Sequence, residues 1–92
     1  MTAGFTVLHV AAYWGDLGLV KELIGKGVDV NAKFGSGETV LHRAARSGDL
    51  DLAKYLVEKG ADVNAVNKYG GETPADVARK QEIRDYLKSK MK

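Results

Sequence analysis

The sequence of 92 residues contains no cysteine, a single proline and a single tryptophan. Without cysteine, disulfide bonds, thiolate metal sites and cysteine nucleophiles are excluded, which suits the reducing cytoplasm. The longest apolar run, FTVLHVAAYW at 5–14, is far shorter than a membrane-spanning helix and contains a histidine. It also lacks the basic flank and small-residue cleavage site of a signal peptide. We therefore expect a cytoplasmic protein without a membrane segment.

The net charge of +2 is unevenly distributed along the chain. Residues 1–78 carry eight basic and ten acidic side chains (−2), whereas residues 79–92 carry six basic and two acidic ones (+4). Nucleic-acid binding favours a basic stripe across a whole face, so we expect no nucleic-acid partner. The basic tail is interpreted as a solvated last helix whose lysines interact with its negative end. The alternative is a weak patch for acidic partners.

An internal repeat dominates the sequence. Aligning residues 6–33 with residues 39–66 gives 18 identities in 28 positions, at a constant offset of 33 residues. Two segments this similar must form the same local structure, and neither is long enough to enclose a core alone. We therefore expect their apolar faces to stack on each other.

Each unit indicates two short helices followed by a loop rich in glycine and asparagine, because apolar residues recur at helical spacing before that loop. Thr6 and Thr39 are suitable N-caps of the first helices, because a threonine hydroxyl can accept an orphan amide hydrogen. Gly15 and Gly48 permit the left-handed backbone that ends these helices.

This pattern resembles the ankyrin repeat, a 33-residue unit of two antiparallel helices and a projecting β-hairpin or loop. The shared marks are Thr-Val-Leu-His at 6–9 and 39–42, and Gly-x-Asp-Val-Asn-Ala at 27–32 and 60–65. A further unit starts at Thr73, followed by a proline at the first helical position. The resemblance implies an all-α repeat fold, a solenoid of helix-turn-helix units joined by β-hairpin loops. The expected units are repeat 1 (1–33), repeat 2 (34–66) and a shortened repeat 3 (67–92).

The two full repeats differ on one face of their first helices. A neighbouring face keeps the same leucine and alanines, whereas this face changes from apolar to polar: Val10, Tyr13 and Trp14 become Arg43, Arg46 and Ser47. Burying an unpaired arginine is strongly unfavourable, so the variable face must reach solvent.

In the ankyrin family these positions and the loop tips line a concave groove that binds partner proteins. The resemblance implies an unidentified protein partner and the following contact residues: Phe5, Tyr13, Trp14, Ser36, Glu38, Arg43, Arg46, Ser47, Lys68, Tyr69 and Glu72. Adjacent aromatics beside an arginine have the composition of a binding hot spot. The alternative for Trp14 is a lid over the exposed end of repeat 1.

His9 and His42 are the only histidines and occupy equivalent positions. The resemblance implies that each bonds within its Thr-x-x-His turn and to the neighbouring repeat. The residues expected to have such structural roles are Thr6, His9, Gly15, Thr39, His42 and Gly48. Two histidines a full repeat apart cannot complete a zinc site without cysteine. No serine has an evident base and no glycine-rich stretch matches a phosphate-binding loop, so we expect no catalysis, cofactor or metal.

Repeat 3 departs from the pattern of the first two. Gly71 is an extra residue, Asp76 replaces the motif histidine, and the Gly-Asp turn between the two helices is missing. Nothing between Pro74 and the end of the segment breaks a helix. Two structures are compatible with this segment: a hairpin with a very tight turn, from residues 74–80 and 82–90, or one long helix.

A long helix could not fold back, so Ile83, Tyr86 and Leu87 would need another surface. A second copy could cover them by exchanging elements, which would give a homodimer through repeat 3. This self-associating unit is the alternative to partner recognition. Two full units and a shortened third are compatible with a fragment of a longer array, a minimal engineered protein, or a chain that completes itself by pairing.

Overall fold

The computed structural model describes residues 3–91, with side chains described from Val7 onward, and this range contains six helices and no strand. The helices are α1 (Ala3–Tyr13), α2 (Leu17–Gly25), α3 (Val40–Ser47), α4 (Leu50–Glu58), α5 (Pro74–Val77) and α6 (Gln81–Lys90). They form three successive pairs, and α3 packs against both α1 and α5. The all-α repeat fold expected from the sequence is confirmed.

The central helix α3 is the most deeply buried element of the stack. Five of its eight residues are buried: Val40, Leu41, His42, Ala44 and Ala45. Two of these are alanines, and Ala11 and Ala12 of α1 are buried as well. Small side chains let neighbouring helices approach closely, so α1, α3 and α5 form one layer of first helices.

Local signals fix both ends of α3. The Thr39 hydroxyl accepts a hydrogen bond from the backbone N–H of His42 at the first turn. Gly48 ends the helix with a φ of +75°, a conformation that glycine adopts without steric cost. At the start of α5, the Thr73 hydroxyl likewise accepts a hydrogen bond from the Asp76 N–H. The Asp76 carboxylate in turn accepts one from the Thr73 N–H at 2.9 Å. This hydrogen bond lowers the pKa of the Asp76 carboxyl.

Helix α1 begins at Ala3, so Thr6 lies inside the helix and its prediction as an N-cap is wrong. In repeat 2 the chain turns just before Thr39, because Gly37 adopts a φ of +79° and packs against the next loop. Residues 3–5, directly before Thr6, are already helical, and the helix therefore starts earlier. The side chains of Phe5 and Thr6 lie outside the described residues.

The loops after α2 and α4 differ from the β-hairpins that the resemblance implies. In the described residues they contain turns, closed by backbone bonds from Phe34 N–H to Glu38 O (2.9 Å) and from Asn67 N–H to Glu72 O (3.0 Å). No ladder of strand hydrogen bonds extends from these closures within residues 3–91. Instead, the second loop binds the first, since Lys68 N–H donates to the carbonyl of Ser36 at 2.9 Å.

Repeat 3 is a tight hairpin and not one long helix. Helix α5 ends at Val77, and the backbone at Ala78 is extended, with a ψ of 129°. The Arg79 N–H donates across to the carbonyl of Ala45 in α3 at 3.2 Å. The Arg79 N–H, at the point where the helix breaks, is therefore satisfied by a hydrogen bond to repeat 2. Local sequence signals do not reveal this bond between repeats.

The hairpin places α6 against the rest of the chain. Ile83 and Leu87 are fully buried in the common core. The fused helix considered from the sequence is therefore wrong. The need for a second copy to cover these two residues disappears with it.

Candidate functional site

An open groove of about 1010 Å³ runs beside the layer of first helices. Its lining residues are His9, Tyr13, Trp14, Phe34, Gly35, Ser36, Glu38, Arg43, Arg46, Ser47, Tyr69, Val77 and Arg79. They come from α1, α3, the end of α5 and both loops. All three helix pairs therefore contribute to one concave surface.

Three large aromatic side chains stand exposed at this groove. Tyr13, Trp14 and Tyr69 are 54%, 75% and 71% exposed. The rings of Tyr13 and Trp14 meet edge to face, with centroids 5.2 Å apart. Since Trp14 is mostly exposed and the nearby Val10 remains 46% exposed, the tryptophan does not form a lid over repeat 1.

Arg43 is held against the aromatic pair. Its guanidinium carbon lies 5.1 Å from the centre of the Tyr13 ring, within the range of a cation–π interaction. The Nε of Arg43 is buried and has no hydrogen-bond partner among the described residues. The groove therefore contains a partly desolvated cation in a fixed position.

Glu38 lies beneath the groove, only 6% exposed, although the sequence suggested a contact residue at a loop tip. The Nε of Arg46 donates to its two carboxylate oxygens at 3.1 and 3.3 Å. The amide of Asn67 donates to one of them at 3.1 Å. Arg46 also lies 3.9 Å from the Glu72 carboxylate. Arg46 is thus fixed in the groove by the protein's own carboxylates.

Asn67, which the sequence did not single out, organises the second loop. Its Oδ1 accepts from the N–H groups of Tyr69 (3.1 Å) and Glu72 (3.0 Å). Its Nδ2 donates to Glu38 and Glu72, both at 3.1 Å. This side chain makes four hydrogen bonds, the full capacity of a primary amide, which fixes the loop that carries Tyr69.

The ionisation of Glu38 follows from these contacts. Burial alone would raise the pKa of its carboxyl, but hydrogen bonds from Arg46 and Asn67 outweigh burial and lower the pKa. The hydrogen bond to Glu38 in turn raises the pKa of Arg46. The charged pair is therefore the favoured state at neutral pH.

We expect Glu38→Gln to lower the free energy of unfolding at neutral pH by about 1.5 kcal/mol, because charge-assisted hydrogen bonds are lost. The lowered folded-state pKa means that charged Glu38 stabilises the fold above its unfolded-state pKa. That contribution disappears as the pH falls through the folded-state pKa. Urea denaturation at several pH values should therefore show the difference from wild type shrinking as the pH falls below 4.5, the ordinary pKa of a glutamate.

Glu22→Gln is the matched control for this measurement. Glu22 forms only an exposed pair with Lys26, at 3.3 Å. Its loss should cost less than about 0.5 kcal/mol. A Glu38→Gln effect equally small at neutral pH would contradict the role of the buried carboxylate.

The two histidines occupy different environments. The Thr39 N–H donates to Nδ1 of His42 at 3.1 Å, so Nε2 carries the proton and donates to the Glu72 carbonyl at 2.8 Å. His42 therefore joins repeat 2 to the loop that begins repeat 3. His9 instead lines the groove, with its ring edge to face against Phe34 at 4.1 Å between centroids. Burial, followed by the charge of Arg43, lowers the pKa of His9.

Most residues predicted as partner contacts line this groove, but Lys68 and Glu72 do not. Glu72 belongs to the network beneath it, and the Lys68 stem packs over Gly37. The groove also contains residues that sequence reasoning did not assign to it: His9, Phe34, Gly35, Val77 and Arg79. Val77 and Arg79 depend on where α5 ends, which the sequence left open.

Between Ala3 and Met91, no cluster of three or more His, Asp or Glu side chains could hold a metal ion. None of the helices α1–α6 combines the length and the apolar character needed to cross a bilayer.

A family model described as ankyrin repeats, in three copies, matches residues 2–90. The chain belongs to the ankyrin repeat family. Its members are generally protein–protein interaction modules and are typically not catalytic. Among curated proteins, none matches the chain.

Proposed function

We propose that this chain binds a partner protein non-catalytically, through the groove across its first helices. The observation that supports this most is the grouping of Tyr13, Trp14 and Tyr69, all exposed, around one concave surface. Exposed aromatics concentrated at one place are typical of interaction sites, because their apolar area is removed from water on binding.

The groove is held in shape before any partner arrives. Glu38, Arg46 and Asn67 form a hydrogen-bonded network beneath it, and the backbone of the second loop is bonded to the first. Groups that are already ordered lose little conformational entropy on association. A rigid base with aromatic side chains above it therefore favours tight contact with a complementary surface.

The test uses short peptides enriched from a random display library by selection on the wild-type protein. Tyr13→Ser combined with Trp14→Ser should weaken their binding by at least about tenfold, since hot-spot aromatics dominate such interfaces. Dissociation constants are measured by fluorescence anisotropy of the labelled peptides.

Val10→Ser combined with Val66→Ser is the matched control. Both valines are 46% exposed and neither lines the groove. This pair should change affinity by less than about twofold, because surface residues outside a hot spot contribute little. Equal binding by the Tyr13/Trp14 variant, with its thermal unfolding unchanged, would sink the proposal.

The homodimer through repeat 3 has no comparable support. Ile83 and Leu87, which it would have to cover, are already buried within the same chain. We therefore propose the groove, and not self-association, as the basis of function.

A further inference from the structure

Two arginines of the groove lack a carboxylate partner. In the described part of the chain, Arg46 pairs with Glu38 and Glu72, but no ion pair within 4 Å involves Arg43 or Arg79. Arg79 is also exposed. The groove therefore presents two guanidinium groups that are not neutralised by the protein's own acids.

The carboxylate that lines the groove is already hydrogen-bonded within the protein. Glu38 is the only carboxylate among the lining residues, and Arg46 and Asn67 bind it from two directions. Its carboxylate is buried, and no ion pair within 4 Å joins it to Arg43 or Arg79. The accessible charge of the groove is therefore positive.

The position of the Arg43 guanidinium also favours the binding of an anion. The Tyr13 ring lies against its guanidinium, and no carboxylate of the described residues pairs with it. A carboxylate that pairs with a guanidinium in such a site gains charge-assisted hydrogen bonds without the cost of ordering the arginine. Exposed aromatics on the same surface provide apolar contact beside these charges.

We infer that the groove binds an acidic segment of a partner protein, in which carboxylates contact Arg43 and Arg79 and an adjacent apolar side chain contacts the exposed aromatics. This inference rests on the proposed function and specifies the chemistry of the partner. Groove-bound peptides selected on this protein should therefore be negatively charged and should contain at least one large apolar residue.

The experiment compares two pairs of substitutions with the same change of charge. Arg43→Gln with Arg79→Gln removes both free guanidinium groups. Lys54→Gln with Lys59→Gln removes two cations that lie outside the groove, each 5.7 Å from a tyrosine ring. The groove pair should weaken the enriched peptides by about tenfold and the control pair by less than about twofold. Arg79→Gln alone should weaken them by about threefold and, because the side chain is exposed, leave folding unchanged.

A matched change in the peptide makes the assignment specific. Replacing the carboxylates of an enriched peptide by amides should weaken binding to wild type, but should have little further effect in the double arginine variant. Such non-additivity is the expected result when the two sets of groups contact each other. Additive losses would overturn the inference, as would peptides without net negative charge or a library that yields no binder.

The controls separate this inference from the proposed function. Binding that depends on Tyr13 and Trp14 but not on the two arginines would support the groove as the binding site. It would overturn the inference that the bound segment is acidic. Binding that depends on neither pair would overturn the proposed function itself. Single-stranded oligothymidylate is titrated in parallel, because arginines and aromatics also bind unpaired bases. If it bound more tightly than the peptides with the same arginine dependence, a nucleic acid would replace the acidic protein segment.

Discussion

His42→Ala is expected to lower the free energy of unfolding by about 3 kcal/mol, because it leaves the buried Thr39 N–H without a partner and opens a cavity. The ring is fully buried and joins the Thr39 backbone N–H to the Glu72 carbonyl. In the alanine variant the Thr39 N–H would lose its partner, and the Glu72 carbonyl would keep only the hydrogen bond from the Asn67 N–H. A loss of this size is a large fraction of the stability of a small domain.

His9→Ala is the internal comparison for this prediction, because His9 occupies the equivalent place in repeat 1. Its ring is only partly buried, and its Nδ1 has no hydrogen-bond partner among the described residues. We expect a cost of about 1 kcal/mol, mainly from the lost contact with Phe34. Equal losses for the two variants in urea denaturation would contradict the role of His42 as a connection between repeats.

Ile83→Ala should cost about 3 kcal/mol, in the usual range for deleting most of a buried isoleucine side chain. Ile83 is fully buried in the core, because α6 folds back against the stack. If residues 74–90 formed one projecting helix, the same side chain would be exposed in a monomer and its loss would cost little. Thermal or urea unfolding of the variant therefore tests the hairpin directly.

Lys88→Ala, an exposed position in the same helix, should change stability by less than about 0.5 kcal/mol and serves as the control. Light scattering on the same samples should give the mass of a single chain, 9.9 kDa. A loss at Ile83 that occurs only together with a dimer mass would show that a second copy, and not α4 and α5 of the same chain, covers this residue.

Local signals in the sequence predicted the second and third repeats best. Thr39 caps α3, Gly48 ends it, and Thr73 caps α5. Each of these assignments depends on a hydrogen bond or a dihedral angle within a few residues, so the residue types alone are sufficient. Thr6 has the same local sequence as Thr39, but residues 3–5 before it are already helical, and there the prediction failed.

Features that depend on distant residues were not predictable in this way. Glu38 was expected at a loop tip, but it is buried because Arg46, eight residues away, and Asn67, twenty-nine residues away, bind its carboxylate. The break after α5 likewise coincides with a contact to α3. By contrast, comparison of the two repeats did predict that Tyr13 and Trp14 would be exposed, because arginine and serine occupy the same places in repeat 2.

The bond from the Arg79 N–H to the Ala45 carbonyl also limits how freely the units of this stack can be exchanged. Repeat arrays are commonly treated as modules that can be recombined, since each unit contacts only its neighbours. Here a backbone donor at the turn of the last unit is taken up by the helix before it. Grafted behind a different repeat, this unit should keep its hairpin only where the preceding first helix offers an accessible carbonyl at the same place.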